Sequence, residues 1–176
     1  MNYQFGLADE SVLEQIYALI DRRIGWMDEV GIRQWNVTDY WGVYPREHYV
    51  EQMRHGRLFV LKDATSGAVA ATAVFYERDP RWPDDAQVDT YYVHHFASSP
   101  DAKGAGRRLL QHLEEYARQK GKTVLRLDCA DGNSKLNRYY QEKGYLPCGT
   151  CVDGLYRGIL REKHLNGKEN TPCSVK

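Results

Sequence analysis

The stretch YYVHHFASSPDAKGAGRRLL, residues 91–110, contains the pattern that decides the fold. Its first part is rich in aromatic and β-branched residues and predicts a strand over residues 88–97. Turn formers follow at residues 98–101. From Arg107 to Lys120, leucine and alanine recur at helical spacing, which predicts a helix with one apolar stripe. A glycine-bearing turn therefore joins a strand to a helix.

This turn has the composition of an anion site. Its residues are Lys103, Gly104, Ala105, Gly106, Arg107 and Arg108. The start of a helix exposes backbone N–H groups at the positive end of its dipole, where phosphate binds readily. Two arginines in the first turn oppose that dipole unless an anion is bound. The alternative is a tight turn with solvated arginines, since a Gly-x-Gly alone is common.

Two other phosphate motifs are absent from the chain. No G-x-x-x-x-G-K-[ST] sequence occurs, which argues against a nucleoside triphosphatase. The full G-x-G-x-x-G with its following acidic residue is also missing, which argues against a nicotinamide cofactor. The pyrophosphate of coenzyme A remains the candidate ligand.

The rest of the chain predicts strands and helices around this segment. Ser11 and Glu14 have the spacing of a capping box and predict the start of a helix that ends at Gly31. Pro45 and Gly56 bound a second helix. The other predicted elements are strands at 3–7, 57–62, 68–76, 123–129, 145–148 and 155–161, and a helix from 131 to 144.

Composition limits the function classes. The 176 residues carry 24 basic and 24 acidic side chains, so no net charge favours nucleic acid or an anionic membrane. No apolar run is long enough to span a membrane, and we expect a cytoplasmic protein. The four cysteines predict reduced thiols. Cys148 and Cys151 have metal-ligand spacing, but no second pair accompanies them, so no metal is expected.

A second motif lies downstream of the turn. The pattern N-x-x-[LA]-x-x-[YF]-Y-x-x-x-G-[FY] is matched by Asn133, Leu136, Tyr139, Tyr140, Gly144 and Tyr145. With both motifs, the chain resembles the GNAT superfamily of N-acetyltransferases. The family's turn reads R/Q-x-x-G-x-G/A, and here Asp101 replaces the usual Arg or Gln.

The resemblance implies an α/β (α+β) fold of the acyl-CoA N-acyltransferase type. We expect a mixed, largely antiparallel twisted sheet of about six to seven strands, flanked by about four helices. Residues 1–163 are predicted to form a single GNAT-like domain. Residues 164–176 have few apolar side chains and predict a disordered tail.

The resemblance also implies acetyl-CoA as co-substrate and Tyr140 as the acid that protonates the leaving thiolate. A phenol, with a pKa of about 10, is neutral at pH 7 and can supply that proton. Core packing is the alternative for either tyrosine, since Tyr139 and Tyr140 point about 100° apart on a helix. Asn133 suits a helix cap and could also contact the pantetheine arm, together with Leu136 and Tyr139.

In the family, pantetheine pairs with the strand before the turn, which implicates the main chain of Phe96, Ala97 and Ser98. The incoming amine must lose a proton, so a base is required. Under strict alternation His94 and His95 face opposite sides of the sheet unless a bulge intervenes. We favour His94 as the base, with Asp89 as the remaining option.

The acceptor pocket is expected around the aromatic segment of residues 26–49. By resemblance Trp26, Trp35 and Tyr92 contact the acceptor, and aromatic faces suit an amine that arrives as a cation. A hydrophobic lid over the core is the alternative. The prediction is a small-molecule amine acceptor, with a protein acetyltransferase or a non-catalytic acyl-CoA-binding module as alternatives, and family members often form homodimers.

Overall fold

The computed structural model describes residues 2–82 and 89–167. These residues form seven strands and five α-helices. The strands are β1 (Tyr3–Leu7), β2 (Leu58–Asp63), β3 (Val69–Tyr76), β4 (Thr90–Ser98), β5 (Val124–Ala130), β6 (Leu146–Asp153) and β7 (Tyr156–His164). The helices are α1 (Leu13–Glu29), α2 (Tyr40–Val43), α3 (Arg46–Arg54), α4 (Ala105–Gln119) and α5 (Ser134–Glu142).

The strands are hydrogen-bonded in the order β1-β2-β3-β4-β5-β7-β6. β1 pairs antiparallel with β2, and β2 with β3. β4 and β5 are parallel, whereas β7 is antiparallel to both β5 and β6. The predicted mixed, largely antiparallel sheet is therefore confirmed. The helix count exceeds the expectation because the four residues of α2 give too short a pattern to be recognised in the sequence.

One compact unit contains the chain up to Phe75 together with His95–Leu113. The apolar stripe of α1 is buried, and Ile16 and Ile20 have no exposed surface. Full burial of such a side chain contributes about 1.5–3 kcal/mol. In the β2–β3 turn, the Asp63 carboxylate accepts hydrogen bonds from the amides of Thr65 and Ser66, and the strands predicted over residues 57–62 and 68–76 pair as a hairpin.

The other unit contains Tyr76–His94 and the chain from Glu114 onward. Along β5 and β7, Arg126 and Glu162 are cross-strand partners, and their side chains form a buried ion pair of 2.6 Å. The Arg126 guanidinium also lies 4.5 Å from the ring centroid of Trp82. The buried Arg126 charge is thus met by a carboxylate and an aromatic ring, as burial of charge requires.

Two boundary predictions need correction. Ser11 does not cap α1, because a short 3-10 turn precedes that helix. The 3-10 turn is capped by Asp9, whose carboxylate accepts a hydrogen bond from the Ser11 amide at 2.9 Å. β7 ends at His164, beyond the end of the strand predicted over residues 155–161. Most of the predicted tail, residues 168–176, lies outside the described residues. No helix within the described ranges is long and apolar enough to cross a membrane.

Candidate functional site

The turn singled out by the sequence leads into α4 within the first unit. Gly104 has a φ of 83°, in the left-handed region that disfavours a Cβ. The Arg108 amide donates to the Gly104 carbonyl at 3.1 Å, which is the first α-type bond of the helix. The amides of Gly106 and Arg107 precede that bond and belong to the first turn, where a helix has no acceptor for its own N–H groups.

The end of β4 closely approaches this turn. A Cβ on Gly106 would lie 3.1 Å from Ser98 Oγ and 3.9 Å from Phe96 Cζ. Phe96 and Ser98 therefore border the turn, and Ala97 between them is buried. A side chain at the second glycine would force Ser98 Oγ to shift, whereas a side chain at the first would strain the backbone.

The charges around the turn are mainly positive. Lys103, Arg107 and Arg108 are exposed or partly exposed. Asp101, the residue that departs from the family pattern, forms an ion pair with Arg22 of α1, so its negative charge is compensated. First-turn amides together with accessible cations are the donor set that suits phosphate oxygens. These residues therefore fit the pyrophosphate of coenzyme A.

The histidines of β4 differ in backbone conformation. His95 has a φ of 50°, which is uncommon for a non-glycine residue in a strand and interrupts strict alternation. Its Nδ1 lies 2.8 Å from the Tyr40 hydroxyl, which lies 2.5 Å from the hydroxyl of Tyr49. His95 thus belongs to a hydrogen-bonded group with the buried side chains of Tyr40 and Tyr49. The third candidate base, Asp89, is exposed.

The aromatic side chains of residues 35–49 form one cluster in the first unit. The ring centroids of Trp35 and Tyr40 lie 4.9 Å apart, and those of Tyr44 and His95 lie 4.5 Å apart. Trp26 instead packs under the Arg23 guanidinium at 4.2 Å. Mutual packing is therefore one role of these aromatics, and contact of Trp26 and Trp35 with an acceptor stays a prediction.

His94 belongs to a set of five polar residues in the second unit, called here the His94 network. Its Nε2 lies 2.9 Å from Asp79 Oδ2. Arg81 Nη2 donates to Asp79 Oδ2 and to Asp128 Oδ1, each at 2.8 Å. The Tyr156 hydroxyl donates to Asp128 Oδ2 at 2.5 Å. The Asp79 side chain is only 3% exposed, so its charge depends on these donors.

The His94 network fixes several charge states. Burial raises the pKa of Asp79, but hydrogen bonds from His94 and Arg81 outweigh burial and hold that pKa well below its usual range. Burial lowers the pKa of Arg81, whereas its bonds to Asp79 and the charge of Asp128 raise that pKa above the ordinary value. Burial and the charge of Asp128 raise the pKa of Tyr156. Asp79 is thus an anion, Arg81 a cation and Tyr156 neutral at pH 7.

The pH dependence of stability should report on Asp79. Because its pKa is lower in the folded than in the unfolded chain, the carboxylate stabilises the fold above the unfolded pKa of about 3.9, and this contribution is lost as the pH falls. We expect the free energy of unfolding to fall more steeply below about pH 5 in the wild type than in Asp79→Asn. Urea denaturation at several pH values measures both slopes, and equal slopes would contradict the assignment.

The second sequence motif lies on α5. The Asn133 side chain accepts the Leu136 amide at 3.1 Å, which confirms the predicted cap. Of the two adjacent tyrosines, Tyr140 is buried and Tyr139 is partly exposed. The Tyr140 ring lies 5.4 Å from that of Tyr139 and 5.7 Å from that of Tyr145. Packing is therefore one role of Tyr140, and its role as acid stays a prediction.

Asn133→Ala should lower the free energy of unfolding by about 1 kcal/mol, since the variant loses the cap of α5. Ser134→Ala is the matched control, because Ser134 is exposed and its side chain does not cap the helix. Thermal or urea denaturation of both variants measures the difference. Equal stability of the two variants would show that the cap contributes little.

Tyr92 has defined partners in the second unit. Its hydroxyl accepts a hydrogen bond from Arg126 Nη1 at 3.0 Å, and its ring lies 6.0 Å from that of Trp82. The side chain is buried. These contacts give Tyr92 a structural role, and its predicted contact with the acceptor remains untested.

The sequence interpretation missed Asp79, Arg81 and Asp128. A signal was present for Asp128, because a single carboxylate within the apolar strand β5 is rarely buried without a partner. Asn137 was also missed, although it fixes α5 by donating to the Ala130 carbonyl at 2.8 Å. No local pattern indicates which partner each of these side chains meets.

The three cysteines among the described residues differ in oxidation state. Cys129 and Cys151 are free thiols. Cys148 is disulfide-bonded, so the prediction of reduced thiols is wrong for that residue.

Over residues 2–82 and 89–167, no group of three or more His, Cys, Asp or Glu side chains could hold a metal ion.

Both the sequence and the fold of this chain are similar to those of known proteins. Residues 24–145 match the sequence model of the family described as "Acetyltransferase (GNAT) family". No curated protein sequence matches the chain. Among solved structures, the chain is similar to a GNAT-family acetyltransferase from Streptococcus agalactiae 2603, with 22% identity, a TM-score of 0.75, and 92% of this chain and 95% of that chain covered.

Two further structures have the same fold. A GNAT-family acetyltransferase from Listeria monocytogenes 4b F2365 is 22% identical, with a TM-score of 0.74 and coverage of 92% of this chain and 94% of that one. The PaiA N-acetyltransferase from Thermoplasma acidophilum was solved in complex with coenzyme A and is 16% identical, with a TM-score of 0.70. The match covers 93% of this chain and 99% of that chain. At these identities the likeness shows the fold alone.

Proposed function

Because this chain belongs to the GNAT acetyltransferase family, we propose that it transfers an acetyl group from acetyl-CoA to the primary amine of a small molecule. The observation that carries the proposal is the turn at the start of α4. Each of its two glycines is favoured over a larger residue for its own reason. Gly104 has a φ of 83°, and Ser98 closely approaches Gly106. Such a turn is suited to hold a pyrophosphate against backbone amides.

Acetyl-CoA supplies an activated acetyl group as a thioester. The similar PaiA protein was solved with coenzyme A, which supports this choice of co-substrate. In the proposal the amides of residues 103–108 and the side chains of Lys103, Arg107 and Arg108 bind the phosphates. The main chain of residues 96–98 binds the pantetheine arm, and Asn133, Leu136 and Tyr139 contact the cofactor.

Two side chains are proposed to move protons. Tyr140 donates a proton to the sulfur that leaves, because a neutral phenol is a suitable acid at pH 7. His94 accepts the proton that the attacking amine loses. His94 is supported as the base by its bond to the buried Asp79 carboxylate, which orients the imidazole ring.

The proposed acceptor is a small amine that carries a positive charge in solution. Trp35 belongs to the aromatic cluster, and aromatic faces attract cations by about 0.5–2 kcal/mol. Trp26 already packs against a guanidinium, which shows the same preference within the protein. Tyr92 is proposed as a further contact of the acceptor.

A panel of amines tests this proposal. Purified protein is incubated with acetyl-CoA and, in turn, polyamines, amino acids, aminoglycosides and short peptides, and the release of free CoA is measured. We expect at least one small amine to raise the rate well above that with any peptide. A response to peptides alone would indicate a protein acetyltransferase, and tight acetyl-CoA binding without any response would indicate a non-catalytic binding module.

A further inference from the structure

The hydrogen atoms of Arg81 determine which tautomer His94 adopts. Arg81 Nη2 carries two hydrogens. It lies 2.8 Å from Asp79 Oδ2 and 2.8 Å from Asp128 Oδ1, so both hydrogens are directed at carboxylates. His94 Nε2 lies 3.3 Å from Arg81 Nη2. Because both Nη2 hydrogens are directed at carboxylates, neither is left for His94 Nε2 to accept.

The contact between His94 and Asp79 completes this assignment. Nε2 lies 2.9 Å from Asp79 Oδ2, and the carboxylate is an anion that can only accept. A ring nitrogen at that distance must carry a hydrogen, because two lone pairs would repel each other. Neutral His94 is therefore protonated at Nε2 and has its lone pair at Nδ1.

We propose that Asp79 is a positioning residue for acetyl transfer, which holds His94 as the Nε2–H tautomer so that Nδ1 accepts the proton of the attacking amine. This inference rests on the proposed function. In the reaction the amine nitrogen forms a bond to the acetyl carbon and the carbon–sulfur bond breaks. The amine proton passes to His94, and the sulfur receives a proton from Tyr140.

The His94 network is built to keep Asp79 in place. The Asp79 carboxylate also accepts the backbone amide of Arg81 and its Nε, each at 3.0 Å, which fixes the orientation of both oxygens. Asp128 and Tyr156 in turn anchor the Arg81 side chain. Because Asp79 is almost fully buried, breaking these bonds would leave an uncompensated charge.

The neighbouring histidine has a different kind of partner. His95 Nδ1 bonds to the hydroxyl of Tyr40, which is a neutral group. A neutral hydroxyl stabilises an imidazolium far less than a carboxylate does, since the Coulomb attraction is absent. The proposal therefore assigns proton transfer to His94, which has a hydrogen bond to a carboxylate.

Nuclear magnetic resonance of the free protein tests the tautomer without any activity measurement. In protein labelled with 15N-histidine at a pH where the imidazoles are neutral, long-range 1H–15N spectra distinguish Nε2–H from Nδ1–H rings. His94 is assigned from the signals lost in His94→Gln. We expect the His94 signals to show only the Nε2–H tautomer in the wild type and in Asp128→Asn. In Asp79→Asn we expect His94 no longer to show the Nε2–H tautomer alone.

Kinetics then test the consequence for the reaction. Asp79→Asn should lower kcat about 10-fold with little change in the KM for the amine, because the base is misplaced but the acceptor contacts are kept. Asp79→Glu should recover part of the loss. An Nδ1–H pattern in the wild type, or an unchanged kcat in Asp79→Asn, would overturn the proposal.

Failure of the proposed function and failure of the proposed role of Asp79 would give different experimental results. If Asp79→Asn does not fold, the wild-type spectrum alone decides the tautomer. An Nε2–H ring in a protein that acetylates no amine would refute the proposed function and with it the role of Asp79. Amine acetylation by a protein whose His94 is the Nδ1–H tautomer would refute only the role of Asp79.

Discussion

Substitution of both turn glycines by aspartate, Gly104→Asp with Gly106→Asp, should weaken acetyl-CoA binding at least about 100-fold, which corresponds to about 2.7 kcal/mol. Each carboxylate would stand beside the amides that are proposed to bind the pyrophosphate. Two like charges about 4 Å apart repel by about 4 kcal/mol near a protein surface, which exceeds the required loss. Isothermal titration calorimetry measures the affinity.

Gly67→Asp is the matched control for this variant. Gly67 lies in the β2–β3 turn of the same unit with a φ of 73°, close to the 83° of Gly104, and a Cβ at either glycine would meet no atom within 4 Å. The control therefore introduces backbone strain similar to that at Gly104, and one of the two negative charges of the double variant, at a different turn. If the double variant bound acetyl-CoA as tightly as Gly67→Asp, the proposed pyrophosphate position would be wrong.

Tyr140→Phe should lower kcat about 100- to 1,000-fold and leave the affinity for acetyl-CoA within about 3-fold. The variant keeps the ring that packs between Tyr139 and Tyr145 and removes only the hydroxyl that is proposed to protonate the leaving sulfur. Steady-state kinetics give kcat, and calorimetry gives the affinity.

Tyr139→Phe provides the control for that experiment. It removes a hydroxyl from the neighbouring residue of α5 and should lower kcat far less. Equal losses in the two variants would mean that neither hydroxyl is specific to proton transfer. An unchanged kcat in Tyr140→Phe would leave packing as the role of Tyr140.

Much of the fold could be predicted because its signals are local. The hairpin depends on the Asp63 side chain and on Gly67, and both act within a few residues. The cap of α5 by Asn133 is also local, since it joins residues three positions apart. The start of α1 was predicted less well because Ser11 lies in a short 3-10 turn capped by Asp9, and α1 itself begins without a side-chain cap.

The candidate site could be predicted only in part. The glycine turn and the tyrosine motif are each continuous in sequence, so their residues can be recognised from the order of amino acids. The His94 network is different, because Arg81 and Asp128 are 47 positions apart and meet only when the second unit folds. The hydrogen count that fixes the tautomer of His94 depends on these distances and has no counterpart in the sequence.

Direct observation of acetyl transfer is the strongest test of the proposal that this protein acetylates a small amine. Acetyl-CoA labelled with 13C at the acetyl carbonyl is incubated with the protein and the most active amine, and the carbonyl signals are followed by nuclear magnetic resonance. We expect the thioester signal to disappear as an amide signal of equal total intensity appears, at a rate set by the protein concentration. A thioester signal that persists, or that converts to free acetate without amide, would contradict the proposal.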